Sequence, residues 1–251
     1  MRPEQFDEHN RSVVSTMGND QEMRNLTRQW FQKASTLEYS YHFCWLGLPI
    51  IQFPQDVLAI QELVWNAKPD LIVETGVARG GSLILYASLL ELLGNDGQVI
   101  GIDIDIRPHN RVAIEQHPMS RRIQLMEGSS VSGEIVEEVF RQAESAKRVM
   151  VILDSNHTHN HALEELHRYS PLVDKGSYLI VLDTVIEDMP AKFSNDRPWG
   201  PGNNPKTAVH EFLRTNGRFE IDRSIQDKLQ ITVGPDGYLK CVRSLAQEEA
   251  A

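Results

Sequence analysis

The sequence predicts an α/β fold, a mostly parallel sheet covered by helices on both faces, and three observations carry that prediction. The first is a strand-like run, Leu71-Ile72-Val73, that stops at Glu74, turns through Gly76, Gly80 and Gly81, and opens into an apolar stretch at 83–93 long enough for a helix. The second is the regular alternation beyond that turn of short apolar runs with longer segments of helical period. The third is the position of the acids: Asp103, Asp154 and Asp183 each fall at the end of an apolar run. In an open α/β sheet ligands bind outside the carboxyl ends of the strands, so these residues should gather at one edge.

Length and charge bound the rest. The chain has 251 residues, enough for one large domain with an N-terminal extension and a substantial core. We expect an arm and helical extension over 1–69, a ligand-binding domain over 70–245, and a frayed tail over 246–251. A formal net charge of −10 and a pI near 5.4 argue against nucleic acid as a partner, because binding phosphates relies on clustered Lys and Arg. Cys44 and Cys241 lie far apart and fit no zinc or redox spacing, which suits a reducing cytosol without disulfides. The polar, acidic start does not read as a signal peptide. No run reaches the roughly 18 apolar residues of a membrane span, so a cytoplasmic protein without membrane contact is expected.

In chain order, residues 1–20 are polar with little periodicity and read as a loose arm or an oligomer contact. From 20 to 37, Met23, Leu26, Trp30, Phe31 and Ala34 recur at three- and four-residue steps, the signature of an amphipathic helix. Tyr39, Tyr41, Phe43 and Trp45 then crowd beside Gly47, Pro49 and Pro54, an ordered aromatic loop that packs on core or a subunit or walls an acceptor pocket. A second helix spans 55–67, and Pro69 ends it. After the first strand come strands at 99–104, 123–126, 149–153 and 178–182, with helices at 134–143 and 162–173. An irregular stretch at 184–205 precedes a helix at 207–215. Segments 219–221, 229–233 and 238–242 read as strands, with Gly234-Pro235-Asp236-Gly237 as a hairpin turn.

The glycine turn offers close backbone approach and free helix N–H groups, so a nucleotide-like ligand is its natural occupant. Its spacing is not Gly-x-Gly-x-x-Gly, which disfavours nicotinamide chemistry. Asp103 lies about one βα unit further on, where a carboxylate accepts from ribose hydroxyls; Asp105 is its neighbour, and helix capping is the plainer role. Ser129 and Ser130 either flank an adenine ring or cap the next helix. Asp154 and Asp183 end adjacent strands, and two close carboxylates need a cation or a shared proton. Mg²⁺, held by one or two carboxylates plus water and substrate oxygens, suits such a pair. Among His157, His159 and His161 no third soft ligand lies at zinc spacing; His157 is the candidate general base, His161 a second, and His159 should face elsewhere. The loop 188–202, with Phe193 and Trp199, reads as a lid over an acceptor or a mobile surface loop.

Together these stretches resemble a known family. The order Glu74-Thr75-Gly76-Val77-Ala78-Arg79-Gly80-Gly81-Ser82 resembles the first motif of class I S-adenosylmethionine-dependent methyltransferases. With Trp45-Leu46-Gly47-Leu48-Pro49-Ile50-Ile51-Gln52, Pro54-Gln55-Asp56, Gly101-Ile102-Asp103-Ile104-Asp105, Gly128-Ser129-Ser130 and Leu153-Asp154-Ser155-Asn156-His157, the chain resembles the cephalosporin hydroxylase family, which includes rhamnosyl and other sugar O-methyltransferases. That resemblance implies a Rossmann-like class I methyltransferase fold, with a mostly parallel seven-stranded sheet, a C-terminal antiparallel hairpin and an N-terminal helical extension. It implies S-adenosylmethionine on Glu74, Gly76, Ala78, Gly80, Ser82, Asp103, Ser129, Ser130 and Asp154. It also implies Mg²⁺ on Asp154 and Asp183, with Asp154 and His157 catalytic, a small-molecule acceptor such as a sugar hydroxyl, and a homo-oligomer. Relatives tend to carry Glu-Asp where this chain has Leu182-Asp183, so one ligand is missing, and Glu187 or Asp188 is the expected substitute. The rival reading is a non-catalytic partner of an oxygenase or biosynthetic complex that keeps the fold and binds the donor without consuming it.

Overall fold

The computed structural model describes residues 2–245, so the tail expected to fray at 246–251 lies outside the described residues. The chain opens with two helices, α1 (Pro3–Asn19) and α2 (Gln21–Ser35). Asp20 sets the boundary between them: its carboxylate accepts from the Glu22 and Met23 amides at 2.8 and 3.0 Å and caps α2. Instead of the loose arm expected at 1–20, α1 is a regular helix. It buries none of its own residues but lies along a late helix, where Gly18 sits so close to Asp227 that a Cβ would meet the carboxylate at 2.2 Å.

A small hairpin follows, β1 (Phe43–Trp45) with β2 (Leu48–Ile50), and then α3 (Pro54–Ala67), which starts on proline and ends at Lys68 in the left-handed region. The main sheet begins with β3 (Leu71–Thr75), whose five residues are all buried, as a central parallel strand requires. It leads into α4 (Gly81–Leu93), apolar on nearly every side because it is covered by the sheet and by α3. Next come β4 (Gln98–Asp103), α5 (Pro108–Glu115), β5 (Ile123–Glu127), α6 (Gly133–Ala143), β6 (Val149–Leu153), α7 (His159–Tyr169) and β7 (Tyr178–Val181). The chain closes with α8 (Pro205–Thr215), β8 (Phe219–Ile221), α9 (Arg223–Leu229) and β9 (Tyr238–Cys241).

The sheet has seven strands in the order β5-β4-β3-β6-β7-β9-β8, parallel except for β9, which runs antiparallel to both its neighbours. Alternate residues of each strand feed two layers. Ile72, Met150, Ile152 and Ile180 pack with Ile60, Val64, Leu83 and Ile84 of α3 and α4. Val73, Ile100, Val151 and Leu179 pack with Val139, Leu166, Val209 and Phe212 of α6, α7 and α8. From β3 the chain moves outward to β4 and β5 and then returns to lay β6 on the other side. That reversal is the switch point at which an open sheet leaves a crevice at its carboxyl edge.

The C-terminal antiparallel pair is present, but its partners differ from those read in the sequence. β9 pairs with β8, whereas the expected strand at 229–233 and the hairpin across Gly234–Gly237 do not form. The reason is Asp56 of α3. Its buried carboxylate accepts from the Thr232 hydroxyl, the Val233 amide and the Tyr238 hydroxyl, and these bonds pull 232–233 away from a ladder. Among the described residues no helix is long and apolar enough to cross a membrane.

Candidate active site at the carboxyl edge

The site is organised by the turn after β3. Gly76 has φ +95°, and a Cβ there would meet the Asp154 carbonyl oxygen at 2.2 Å, so the close approach of β3 and β6 depends on glycine. Ala78 is also in the left-handed region, at φ 45°, and the Asn110 amide holds its carbonyl at 2.8 Å. Asp103, at the end of β4, accepts from the Val77 and Ala78 amides at 2.9 and 3.2 Å and from Asp105 N at 3.2 Å. A carboxylate has roughly four acceptor positions, so Asp103 shapes the turn and keeps capacity for a ligand hydroxyl.

Two clefts flank this turn. The smaller, of about 320 Å³, is walled by Asp103, Ile104, Ser129, Ser130, Asn156 and His161. Helix α6 is capped by Ser132, whose hydroxyl accepts from Ile135 N, which removes the capping role from Ser129 and Ser130. Ser130 instead lies 3.1 Å from His161 Nε2, which is also 3.2 Å from the Ser155 hydroxyl; Ser155 donates to buried Glu165 at 2.7 Å. His161 therefore belongs to the wall of this cleft, while His159 turns toward Thr207 and Glu211.

The larger cleft, of about 520 Å³, shares Gly76, Asp103 and Ser155 with the smaller one and carries the acidic groups. Asp154, His157 and Asp183 each present a ligand atom, and those atoms lie within 4.8 Å of one another. His157 Nε2 is 3.1 Å from Asp183 Oδ2. Asp183 adopts φ +54°, a left-handed conformation that a short polar side chain tolerates and that turns its carboxylate back toward β6. Burial, reinforced by the charges of Asp183 and Glu74, pushes the Asp154 carboxyl well above the ordinary range. Gln52 donates to Asp154 Oδ2 at 3.4 Å, and its own Oε1 is buried without a partner. Two carboxylates that repel are a donor pair that fits a divalent ion with oxygen preference, and the His157 imidazole stands beside them.

Some expected residues sit elsewhere. Glu74 is fully buried beneath the turn, accepting from the Ser82 hydroxyl at 2.6 Å and the Tyr86 hydroxyl at 2.8 Å, and it lines neither cleft. Burial overrides both bonds and raises its carboxyl to about 8. Gly80 and Ser82 line a narrow crevice running from the turn to Gln52 and Asp154. Glu187 and Asp188 do not replace the missing ligand. Glu187 accepts from the Gly202 and Asn204 side of the lid, and Asp188 pairs with Lys206 at 2.7 Å.

The loop 188–202 lines the larger cleft through Phe193, Ser194, Arg197 and Trp199. Trp199 meets the His157 ring edge-on at 4.9 Å between centroids, and the Arg197 guanidinium lies 5.5 Å from the Trp199 ring. With Tyr39, Tyr41 and Phe53 it gives the larger cleft aromatic walls. Gln52 was missed as a site residue. Its signal was a lone amide inside the apolar run Ile50-Ile51-Gln52-Phe53, where a polar group must have a purpose.

Comparison with known proteins bears on this arrangement. A family model described as Rhamnosyl O-methyltransferase/CmcI matches residues 37–242. A rhamnosyl O-methyltransferase of Mycobacterium bovis is 28% identical over 199 residues, covering 78% of this chain and 76% of the relative. Among solved structures, CmcI with Mg and SAM aligns with a TM-score of 0.55 at 22% identity, over 80% of this chain and 77% of that one. The O-methyltransferase TomG from Streptomyces achromogenes, in complex with SAM, aligns with a TM-score of 0.55 at 17% identity, over 97% and 100%. At those identities the two structures establish the shared fold.

Proposed function

The chain belongs to the Rhamnosyl O-methyltransferase/CmcI family, and from that premise we propose that it transfers a methyl group from S-adenosylmethionine to a hydroxyl of a small molecule, a sugar of a glycosylated natural product or glycolipid. The observation that carries this reading is the meeting of two clefts at Gly76, Asp103 and Ser155, with Asp154, His157 and Asp183 in the larger of them. One cleft suits an adenosine, bounded by Ser129, Ser130 and His161, with Asp103 as acceptor for ribose hydroxyls. The other suits a hydroxyl-bearing acceptor between the acids and the aromatic lid. An intact cluster of titratable groups there weighs against a non-catalytic partner.

Asp154 and Asp183 would hold Mg²⁺, with His157 and Gln52 beside them, and such an ion supplies the positive charge that lowers the pKa of a bound hydroxyl. His157 accepts the hydroxyl proton on its imidazole, and Asp183 stabilises the imidazolium that results. Trp199 and the tyrosines hold the acceptor in line and exclude water, so that the already activated sulfonium donor meets a desolvated, aligned oxygen. We propose that the assembly is a homo-oligomer, since Leu58 and Trp65 of α3 and Leu26 and Trp30 of α2 remain exposed. The test is mass spectrometry of a panel of glycosides incubated with protein and donor, with Mg²⁺ and then with chelator. A product heavier by one methyl group, lost on chelation, is expected; donor binding without S-adenosylhomocysteine formation on any acceptor would favour the non-catalytic reading.

A further inference from the structure

One cavity has no part in methyl transfer as described. It encloses about 330 Å³ between the N-terminal helices and α9, and Phe31, Val185 and Met189 line both it and the larger cleft. The two spaces therefore adjoin along one apolar surface. Arg24 and Arg28 of α2 and Arg223 of α9 also line the cavity.

These arginines stand out in a chain of net charge −10. Two acids also line the cavity. Asp188 pairs with Lys206 at 2.7 Å, and burial raises the Asp227 carboxyl, a rise that the nearby charges of Arg223 and Arg24 oppose. Arg24 also donates to the Gly18 carbonyl at 2.9 Å, securing the end of α1. Arg28 makes no ion pair or hydrogen bond among the described residues. At the edge of the cavity Gly18 of α1 packs against the Asp227 side chain of α9, leaving no room for a Cβ. The cavity's α1 and α2 walls also precede residue 37, where the family match begins.

We propose that this cavity is a subsite for an anionic group, a carboxylate or a phosphate, carried by the acceptor at a distance from the hydroxyl that is methylated. The inference rests on the methyl-transfer reading of the adjoining cleft. A guanidinium fork matches the planar or tetrahedral oxygens of such anions, and Phe31, Val185 and Met189 offer an apolar surface for the acceptor body between the two ends. Acceptor choice would then be set by the N-terminal helices, apart from the chemistry at the strand ends.

Calorimetry of the full chain loaded with S-adenosylhomocysteine tests this with three probes: 4-nitrophenyl glucoside, 4-nitrophenyl glucuronide and 4-nitrophenyl glucoside 6-phosphate. One of the two anionic probes should bind about tenfold more tightly than the neutral one, the effect of a charge-assisted hydrogen bond. The double variant Arg28→Ala, Arg223→Ala should lose that preference while binding S-adenosylhomocysteine as before. The stronger of the carboxylate and phosphate arms identifies the anion. Equal affinity for all three probes, no binding of any, or a preference that survives in the double variant would overturn the subsite. If wild-type protein fails to bind S-adenosylhomocysteine, the methyl-transfer reading falls and the subsite with it; intact donor binding without anion preference removes the subsite alone.

Discussion

His157 Nε2 lies 3.1 Å from Asp183 Oδ2, joining the loop after β6 to the end of β7. This contact orients the imidazole toward the cleft and gives the base a counter-charge. Asp183→Asn should therefore lower kcat by about 100-fold, in the range of a lost general base, while the calorimetric affinity for S-adenosylmethionine stays within about threefold of wild type. His157→Gln should do the same. An unchanged kcat in both variants would remove the dyad from the mechanism.

Trp199 closes on His157 from the lid, and its ring is available to a sugar face. Trp199→Ala should raise the acceptor KM by about tenfold, as expected for a lost aromatic contact, with a smaller change in kcat. Steady-state kinetics with a glycoside that the protein methylates separate the two parameters. A fall in kcat alone would mean that the ring serves only to position the base.

Glu74 is raised from 4.5 to about 8 by burial, against the hydrogen bonds from Ser82 and Tyr86. A carboxyl whose folded pKa exceeds its unfolded value binds its proton more tightly when folded, so its contribution is whole below about pH 4.5 and lost as pH rises through 8. Glu74→Gln keeps an acceptor without the titration, and its urea-unfolding midpoint should depend less on pH across that window. Glu74→Ala strands two hydroxyls and should cost about 3 kcal/mol. A wild-type slope retained in Glu74→Gln would contradict the assignment.

Asp56 follows the same sign in a different window. Burial raises its carboxyl from 3.8 to about 6 despite bonds from Thr232, Tyr238 and Val233, so stability should decline as pH rises from about 4 to 6. Its loss also frees the 232–233 segment, whose Val233 carbonyl accepts from Val185 N just after Asp183. Asp56→Ala should therefore destabilise the protein by about 3 kcal/mol in urea titration and weaken turnover through Asp183. Full turnover in a destabilised variant would confine Asp56 to the fold.

The parallel core was legible because each central strand is a short apolar run stopped by Gly, Pro or Asp, and the strand-end acids follow from that topology. Two errors have separate causes. Leu229-Gln230-Ile231-Thr232-Val233 alternates like a strand, yet Asp56, remote in sequence, claims its hydrogen bonds; Arg223–Leu229 is a helix with few apolar residues to announce it. Helix α1 escaped notice because it buries none of its residues, and its footing is a backbone contact at Gly18. At the site, local patterns marked Asp103, Asp154, His157 and Asp183. They did not reveal that Glu74 turns inward to Tyr86, nor that Gln52 reaches Asp154, because both depend on which helix the turn packs against.

Methyl transfer depends on a sulfonium donor seated at the turn after β3, and direct titration of the protein with S-adenosylmethionine measures this without knowledge of the acceptor. Saturable binding at one site per chain is predicted, with S-adenosylhomocysteine competing for it and NAD giving no heat. Folded protein that binds neither sulfur compound, or that binds NAD instead, would contradict the claim.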